Sequence, residues 1–486
     1  MDYKVLLYGA LGAVYLIVLL SVMLVIVLEN RQPVRTVAWI LVLMCFPVLG
    51  LVIYAFFGRN LKRGALISKV CAVQLARRSA HRFYRSCFPV VPEEHARLIY
   101  LFRRQSVSFL YPDNDVNVFT EGPAMLEQML CDMAAARDHI HVEFYIFEDD
   151  ETGRRVRDCL MKKAAEGVQV RVIYDDVGCW NVSSAFFAEM KKAGIEVCAF
   201  LPVRFPLFTS KVNYRNHRKI VVVDGKVGYV GGMNLADRYF NGAADRKGWR
   251  DTHMRLAGNA VLGLQRAFLA DWYVAGDELI ASSRYFPEHV AEEDKVPAGG
   301  ISARKVQMQV VTSIPTDVWP DIMQGLVLIL LRAKRYCYIQ SPYFIPTDRV
   351  LFAMQTAAMS GVDVRLMLPE HADKKILTWA SRSYLTDVMR AGVRVYLYRK
   401  TFLHAKAWVS DDSLFSCGST NMDFRSFEHN FEINAFVYDK KIAQTMKRVF
   451  VNDQQHCRLL NLERWMERST WRRVSESLIR VLTPLL

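Results

Sequence analysis

One pattern occurs twice in this chain of 486 residues, and the repetition restricts the fold more than any other feature. The first copy reads AAARDHIHVEFYIF, then a helical stretch, then AAEGVQVRVIYDD and AGIEVCAF. The second reads LLRAKRYCYIQSPYFIP, then AAMSGVDVRLMLP and AGVRVYLY. In each, an apolar run of strand length follows a helical stretch, with Gly167, Gly194, Gly361 and Gly392 where a helix C-cap belongs. Alternating helix and strand predicts βαβ units, hence an α/β fold of two similar lobes. The lobes are expected over 111–287 and 306–470, joined by a polar linker over 288–305 that contains Pro297, Gly299 and Gly300.

A short motif closes each copy. NHRKIVVVDGKVGYVGGMN and LHAKAWVSDDSLFSCGSTN align on histidine, giving H-x-K-x-x-x-x-D and an asparagine at the same distance. The residues are His217, Lys219, Asp224 and Asn234 in one copy, and His404, Lys406, Asp411 and Asn421 in the other. Residues two apart on a strand share a face, so each histidine projects with its lysine. The Asp224–Gly225 pair suits a hairpin turn that brings Asn234 back beside His217. Two such patches facing each other would set two imidazoles, two ammoniums and two amides around one anionic centre. Lysines and amides suit phosphate oxygens, and two imidazoles can flank phosphorus. A metal centre is disfavoured, because lysine is no usual ligand and no carboxylate lies within either H-x-K core. His139 and His141, near Glu143, alternate on one strand face and read as strand-edge or supporting groups.

The N-terminus has a different character. Val5 to Leu28 carries no charge and as a helix would cover about 36 Å, more than the roughly 30 Å of a bilayer's hydrocarbon core. A second apolar stretch, Thr36 to Phe57, contains Pro47 and Gly50. Together they predict a two-helix transmembrane hairpin over 1–60. A signal peptide fits poorly: the run is too long, no small-residue cleavage site follows, and a second span comes at once. Between Gly58 and Arg104 there are eleven Lys/Arg and only Glu93 and Glu94 as acids, so 61–110 is read as a basic juxtamembrane segment in contact with lipid. That asymmetry places the bulk of the chain in the cytoplasm. Lysine and arginine exceed acids by 63 to 49, which calls for an acidic partner, nucleic acid or an anionic membrane; the apolar hairpin favours the membrane. Ten cysteines without a C-x-x-C pair fit a reducing compartment.

At the paired H-K-D motifs the chain resembles the phospholipase D superfamily. Its start, NRQPVRTVAWILVLMCFPVLGLVIYAFFGRN, with GGMN, GSTN and the terminal WRRVSESLIRVLTPLL, resembles the bacterial cardiolipin synthases of phospholipase D type. The resemblance implies two phospholipase-D-like lobes, each a mixed β-sheet flanked by helices, forming one pseudo-twofold catalytic unit. It also implies a phosphatidyltransferase in the bacterial inner membrane that joins two phosphatidylglycerols into cardiolipin and glycerol through a phosphohistidine. One histidine would attack phosphorus and the other serve as acid and base; by analogy His217 is the nucleophile and His404 the acid/base, though the sequence alone is symmetric on that point. Lys219, Lys406, Asn234 and Asn421 would hold phosphoryl oxygens, while Asp224 and Asp411 would be structural. Downstream carboxylates, Asp251 in WRDTH and Glu432 in HNFEINAF, would orient the histidines, a surface or strand pair being the alternative.

The expected partners are phosphatidylglycerol, other anionic phospholipids and the membrane, with no nucleic acid, no metal and no cofactor; homo-oligomerisation stays open. No Walker A sequence occurs, and exchange of one phosphodiester for another requires no nucleotide. Trp471, Val474, Leu478, Leu482 and Leu485 share one face of a C-terminal amphipathic helix over 471–486, with Arg472, Arg473 and Glu476 elsewhere, which suits a membrane interface or packing onto the core. The competing functions are a hydrolytic phospholipase D, a phosphatidylserine synthase of the same superfamily, a nucleic-acid phosphodiesterase, and a non-catalytic scaffold that retention of both His-Lys pairs disfavours.

Overall fold

The computed structural model describes residues 3–28, 33–54, 89–106, 108–203, 213–240, 248–276, 278–287 and 300–482. They divide into two units, one built on the N-terminal helices and one holding both copies of the repeat.

In the N-terminal unit the helix Tyr3–Leu28 carries no charge after Lys4, and among the described residues it contains the one segment, Leu7–Leu28, long and apolar enough to cross a membrane. The second apolar stretch departs from the expected single span. It forms two shorter helices, Pro33–Cys45 and Pro47–Ile53, parted at Phe46 with φ −130° and ψ 71°. Proline pushes the residue before it out of the helical region and has no N–H to donate, which accounts for the break. Ile26, Leu43 and Tyr54 form the buried contact within this unit. Its connecting residues 29–32 lie outside the described residues, as do residues 55–57 of the second stretch.

The larger unit carries one sheet that, among the described residues, has 16 strands. Its two central strands, Tyr111–Phe119 and Ile301–Ser313, pair antiparallel. Outward from the first run His253–Gly258, Val227–Gly231, Lys219–Val223, His139–Phe144, Gln169–Asp175 and Glu196–Phe200. Outward from the second run Asn430–Tyr438, Leu414–Gly418, Ala407–Ser410, Tyr336–Gln340, Asp363–Pro369 and Arg394–Tyr398, with Cys457–Leu459 added at the edge. The pairing senses also match. In each copy His139–Phe144 or Tyr336–Gln340 and the two strands beyond it are parallel, while the inner strands and the added edge strand Cys457–Leu459 pair antiparallel. The mixed sheet follows from the connections: helices Glu151–Ala165 and Asp348–Met359 cross between parallel neighbours, whereas the motif strands return through tight hairpins. Gly167, Gly194, Gly361 and Gly392 all have φ between 87° and 98°, the left-handed C-cap geometry expected of them.

Each lobe has its own apolar core, one including Met129, Val142, Phe147 and Val221, the other Leu326, Ile339, Leu366 and Trp408. Two expected boundaries shift. The linker reaches only to Gly300, because Ile301 already begins the central strand, where alternate side chains can be buried; residues 288–299 lie outside the described residues. The basic segment is described from Pro89, its residues 61–88 lying outside, and there it is more than a lipid-facing surface. Helix Ala96–Gln105 inserts Leu98, Ile99 and Phe102 into the second lobe's core, with the Phe102 ring 4.5 Å from that of Phe436.

Candidate active site

The two motif hairpins approach each other through Val227–Gly231 and Leu414–Gly418. Lys219–Val223 turns at Asp224 and Gly225, with φ of 52° and 65°, into Val227–Gly231. Two successive positive φ values define the tight hairpin turn that matches strand twist. In the second lobe Asp411 and Asp412, at 51° and 58°, make the same turn without a glycine.

The motif aspartates are anchors. Asp224 accepts hydrogen bonds from the backbone N–H groups of Arg137, Asp138 and His139 at 2.8–2.9 Å. Asp411 does the same for Lys334, Arg335 and Tyr336 at 2.7–3.0 Å. Each fastens the hairpin to the start of the neighbouring strand, which pairs antiparallel with the motif strand. Asp224→Ala and Asp411→Ala should each lower stability by about 2–4 kcal/mol, since three donors lose a charged acceptor; thermal unfolding of the variants measures this, and an unchanged midpoint would contradict the anchoring role.

Each histidine is held by the opposite lobe. The short strand Arg215–Asn216 pairs in parallel with Asn430 and Phe431, and the His217 N–H donates to the Phe431 carbonyl at 3.0 Å. Reciprocally, Arg250 bridges to Leu403, and the His404 N–H donates to the Arg250 carbonyl at 2.8 Å. The side chains cross in the same way. His217 Nδ1 lies 3.0 and 3.1 Å from the Glu432 carboxylate oxygens, and His404 Nδ1 lies 2.6 Å from Asp251 Oδ2. Asp251 and Glu432 therefore both contact histidine, each one serving the histidine of the other copy. The GGMN glycines make room: a Cβ at Gly232 would collide with the Asp251 carboxylate.

Lys219 Nζ donates to the His217 carbonyl, and Lys406 Nζ donates to the His404 carbonyl. Lys406 Nζ also sits 2.7 and 3.0 Å from the two ring nitrogens of His404, whereas His217 Nε2 has no hydrogen-bond partner among the described residues. The Tyr145 ring meets His217 edge-on at 5.1 Å; Tyr239 and Trp249 stand 5.3 Å from His404. Asn234 and Asn421 are buried differently. Asn234 Oδ1 accepts from the Ile146 N–H at 3.2 Å and its amide donates to the Tyr239 hydroxyl at 2.7 Å, while Asn421 Oδ1 is buried without a hydrogen-bond partner among the described residues.

Burial dominates the electrostatics. It brings the His217 imidazole down to about 4, with Glu432 only partly opposing it, and His404 to about 3, with Lys406 adding to the effect. Burial likewise lowers Lys219 to about 7 and Lys406 to about 8. Lys406 acts on His217 and Lys219 on His404, so both motifs share one field. Burial alone would raise the carboxylates, but His217 and Lys219 hold Glu432 below its usual range, as Lys406 and His404 do for Asp251. Among the described residues no group of three or more His, Cys, Asp or Glu is arranged to hold a metal ion.

Several supporting residues carried no sequence signal. Arg218, between His217 and Lys219, is buried and donates to Asp271 at 2.5 Å and to the Glu432 carbonyl at 3.1 Å. Asp175 accepts from the Asn216 N–H at 2.9 Å, fixing the approach to His217. Below the two motifs one difference between the copies changes a charge. Gln340, opposite Ala407, donates to Asp453 at 2.9 Å; Glu143, opposite Ile220, takes the same place in the first copy beside Asp271. Burial and that neighbouring carboxylate hold the Glu143 carboxyl well above its usual range, which favours the protonated form, the closer match to the glutamine of its counterpart. His139 and His141 both bond Gln265 and support the sheet from below.

Comparison with known proteins accords with this geometry. A family model described as "Cardiolipin synthase, PLD-like domain" matches residues 129–246 and 326–454, one match for each lobe, and a "Phospholipase_D-nuclease N-terminal" model matches 13–59. The chain belongs to the phospholipase-D-like cardiolipin synthase family. Within that family it is 38% identical to the major cardiolipin synthase ClsA of Bacillus subtilis, over 98% of each chain. It is 39% identical to the cardiolipin synthase of Geobacillus kaustophilus, over 95% of this chain and 91% of that one. Among solved structures, a phosphatidylserine synthase of Haemophilus influenzae superposes with a TM-score of 0.58 over 81% of this chain and 98% of that one; at 14% identity this is a likeness of fold.

Proposed function

We propose that the chain is a cardiolipin synthase: it moves the phosphatidyl group of one phosphatidylglycerol onto the headgroup hydroxyl of another and releases glycerol. The observation that carries the reading is the crossed pair of histidine–carboxylate contacts, which commits both imidazoles and both lysines to one field, in a chain that belongs to this family over nearly its full length. His217 Nε2, with its lone pair unengaged, attacks phosphorus; the phosphorus–oxygen bond to glycerol breaks, and His404 gives the departing oxygen its proton. The second phosphatidylglycerol then yields its hydroxyl proton to His404 and attacks the phosphohistidine, freeing His217. Lys219, Lys406 and the asparagine side-chain N–H groups hold the non-bridging oxygens, Asn234 after exchanging its Tyr239 partner. A bound phosphodiester brings negative charge into a buried site and raises the affinity of His404 and both lysines for protons, which readies the acid. Helix Tyr3–Leu28 tethers the enzyme to the bacterial inner membrane. The second apolar stretch completes a hairpin, with the catalytic unit on the cytoplasmic side.

The test is a product assay on the full chain in detergent with phosphatidylglycerol and neither nucleotide nor added metal. Cardiolipin and glycerol in equal amounts are expected; phosphatidic acid as the sole lipid product would make the enzyme a hydrolase instead. A pH profile adds a second expectation. Lys219 and Lys406, lowered by burial to about 7 and 8, lose their charge as pH rises through those values, so binding of an anionic lipid weakens on the alkaline side. In the free enzyme kcat/KM should fall above about pH 8, and a flat profile to pH 10 would contradict cationic phosphate binding.

A further inference from the structure

The C-terminal helix Thr470–Leu482 packs in the reverse of the usual sense. It lies against helix Lys375–Arg390 and presents its polar side to it. Glu476 is buried and paired with Arg468 at 3.0 Å. Arg480 donates to Asp387 at 2.8 Å and to the Ser383 carbonyl at 3.2 Å, and its guanidinium covers the Tyr384 ring at 4.2 Å. The apolar side is left uncovered. Trp471, Val474, Leu478 and Val481 are exposed by 78, 43, 63 and 76%, and their spacing of three and four residues puts them on one stripe. A helix held to its own protein by ion pairs while its hydrophobic stripe faces outward is built to meet something apolar.

We propose that this stripe is seated in the surface of an anionic phospholipid bilayer, so that the catalytic unit touches the membrane through its C-terminus. Three features around the stripe commit it to lipid. Arg472 and Arg473, both exposed, follow Trp471, so the apolar stripe starts beside cationic groups that suit anionic headgroups. The supporting helix exposes a second indole, Trp379, by 44%, and tryptophan favours the boundary between headgroup and hydrocarbon. The only acid on the helix, Glu476, is buried and paired, and does not confront the headgroups. A stripe of four apolar residues reaches a shallow depth suited to a helix lying in the interface plane.

The proposal rests on the membrane reading of the enzyme but is tested apart from its chemistry. The full chain is reconstituted into phosphatidylglycerol vesicles in which some acyl chains carry bromine, a quencher of indole fluorescence. Wild type should show a quenched component that Trp471→Phe removes. Turnover is then measured for the double variant Trp471→Ser/Leu478→Ser. It should fall about tenfold on vesicles, through lost apolar contact with the bilayer, and remain unchanged on monomeric short-chain phosphatidylglycerol. Identical quenching in Trp471→Phe would overturn the proposal, as would equal turnover by the double variant on vesicles. A change of oligomeric mass in the double variant with quenching preserved would assign the face to a second copy of the chain and likewise reject it. The quenching result stands whether the product is cardiolipin or phosphatidic acid, so failure of the functional assignment and failure of this one are separable.

Discussion

His217→Ala should abolish both turnover and covalent capture of lipid. The loss should reach about 10⁴–10⁶-fold, the scale on which enzymes respond to removal of a nucleophile or its partner base. His404→Ala should reduce turnover of phosphatidylglycerol by about 10²–10⁴-fold, the range of general acid–base catalysis. The two variants part company with a phosphatidyl ester of nitrophenol, whose leaving group departs without a proton. His404→Ala should still form the acid-labile phosphohistidine from this donor, and His217→Ala should form none. Covalent label on the His217→Ala protein, or turnover within tenfold of wild type in either variant, would refute the assignment of roles. The reverse labelling pattern would exchange the two histidines while keeping the chemistry.

The crossed carboxylates carry the second large effect. Glu432→Gln and Asp251→Asn keep size and polarity but lose the charge that supports a positive imidazolium and selects the ring tautomer. Each should cost about 10²–10⁴-fold in turnover, by comparison with the equivalent change in a serine-protease triad. The crossing dictates which step suffers. Glu432→Gln, in the second lobe, acts on His217 in the first, and should slow formation of the covalent intermediate even from the nitrophenyl donor. Asp251→Asn, in the first lobe, acts on His404 and should be relieved by that donor. Pre-steady-state release of nitrophenol separates them. Rescue of Glu432→Gln in place of Asp251→Asn would mean that each carboxylate serves its own copy during catalysis.

The repeat made the two-lobed α/β architecture legible, because hydrophobic runs, C-cap glycines and the H-x-K spacing all recur in step. The Asp-Gly turn likewise pointed to the hairpin. What stayed hidden depends on contacts far apart in the chain. His217 and Glu432 are separated by 215 positions, so no local periodicity could say that carboxylates downstream of each motif would change partners. Arg218 reads as the variable residue of H-x-K, yet it is buried and joins Asp271 to the second lobe's backbone. In the sequence Glu143 is only an acid near two histidines; that burial and Asp271 raise its carboxyl, and that it stands where the other copy has Gln340, is not visible without the sheet register. Pro47 is visible inside the second apolar stretch, but hydropathy over the whole stretch does not register that it divides the helix. The face of the terminal helix was legible, but the choice between lipid and core assumed that only an apolar side docks.

The exchange of carboxylates between lobes also bears on how such a chain matures. A lobe folded by itself would hold an imidazole whose steadying acid is still elsewhere, and an acid with no imidazole to steady. Competence therefore arrives in a single event, when the halves meet. A lobe that has not met its partner lacks the carboxylate that steadies its imidazole.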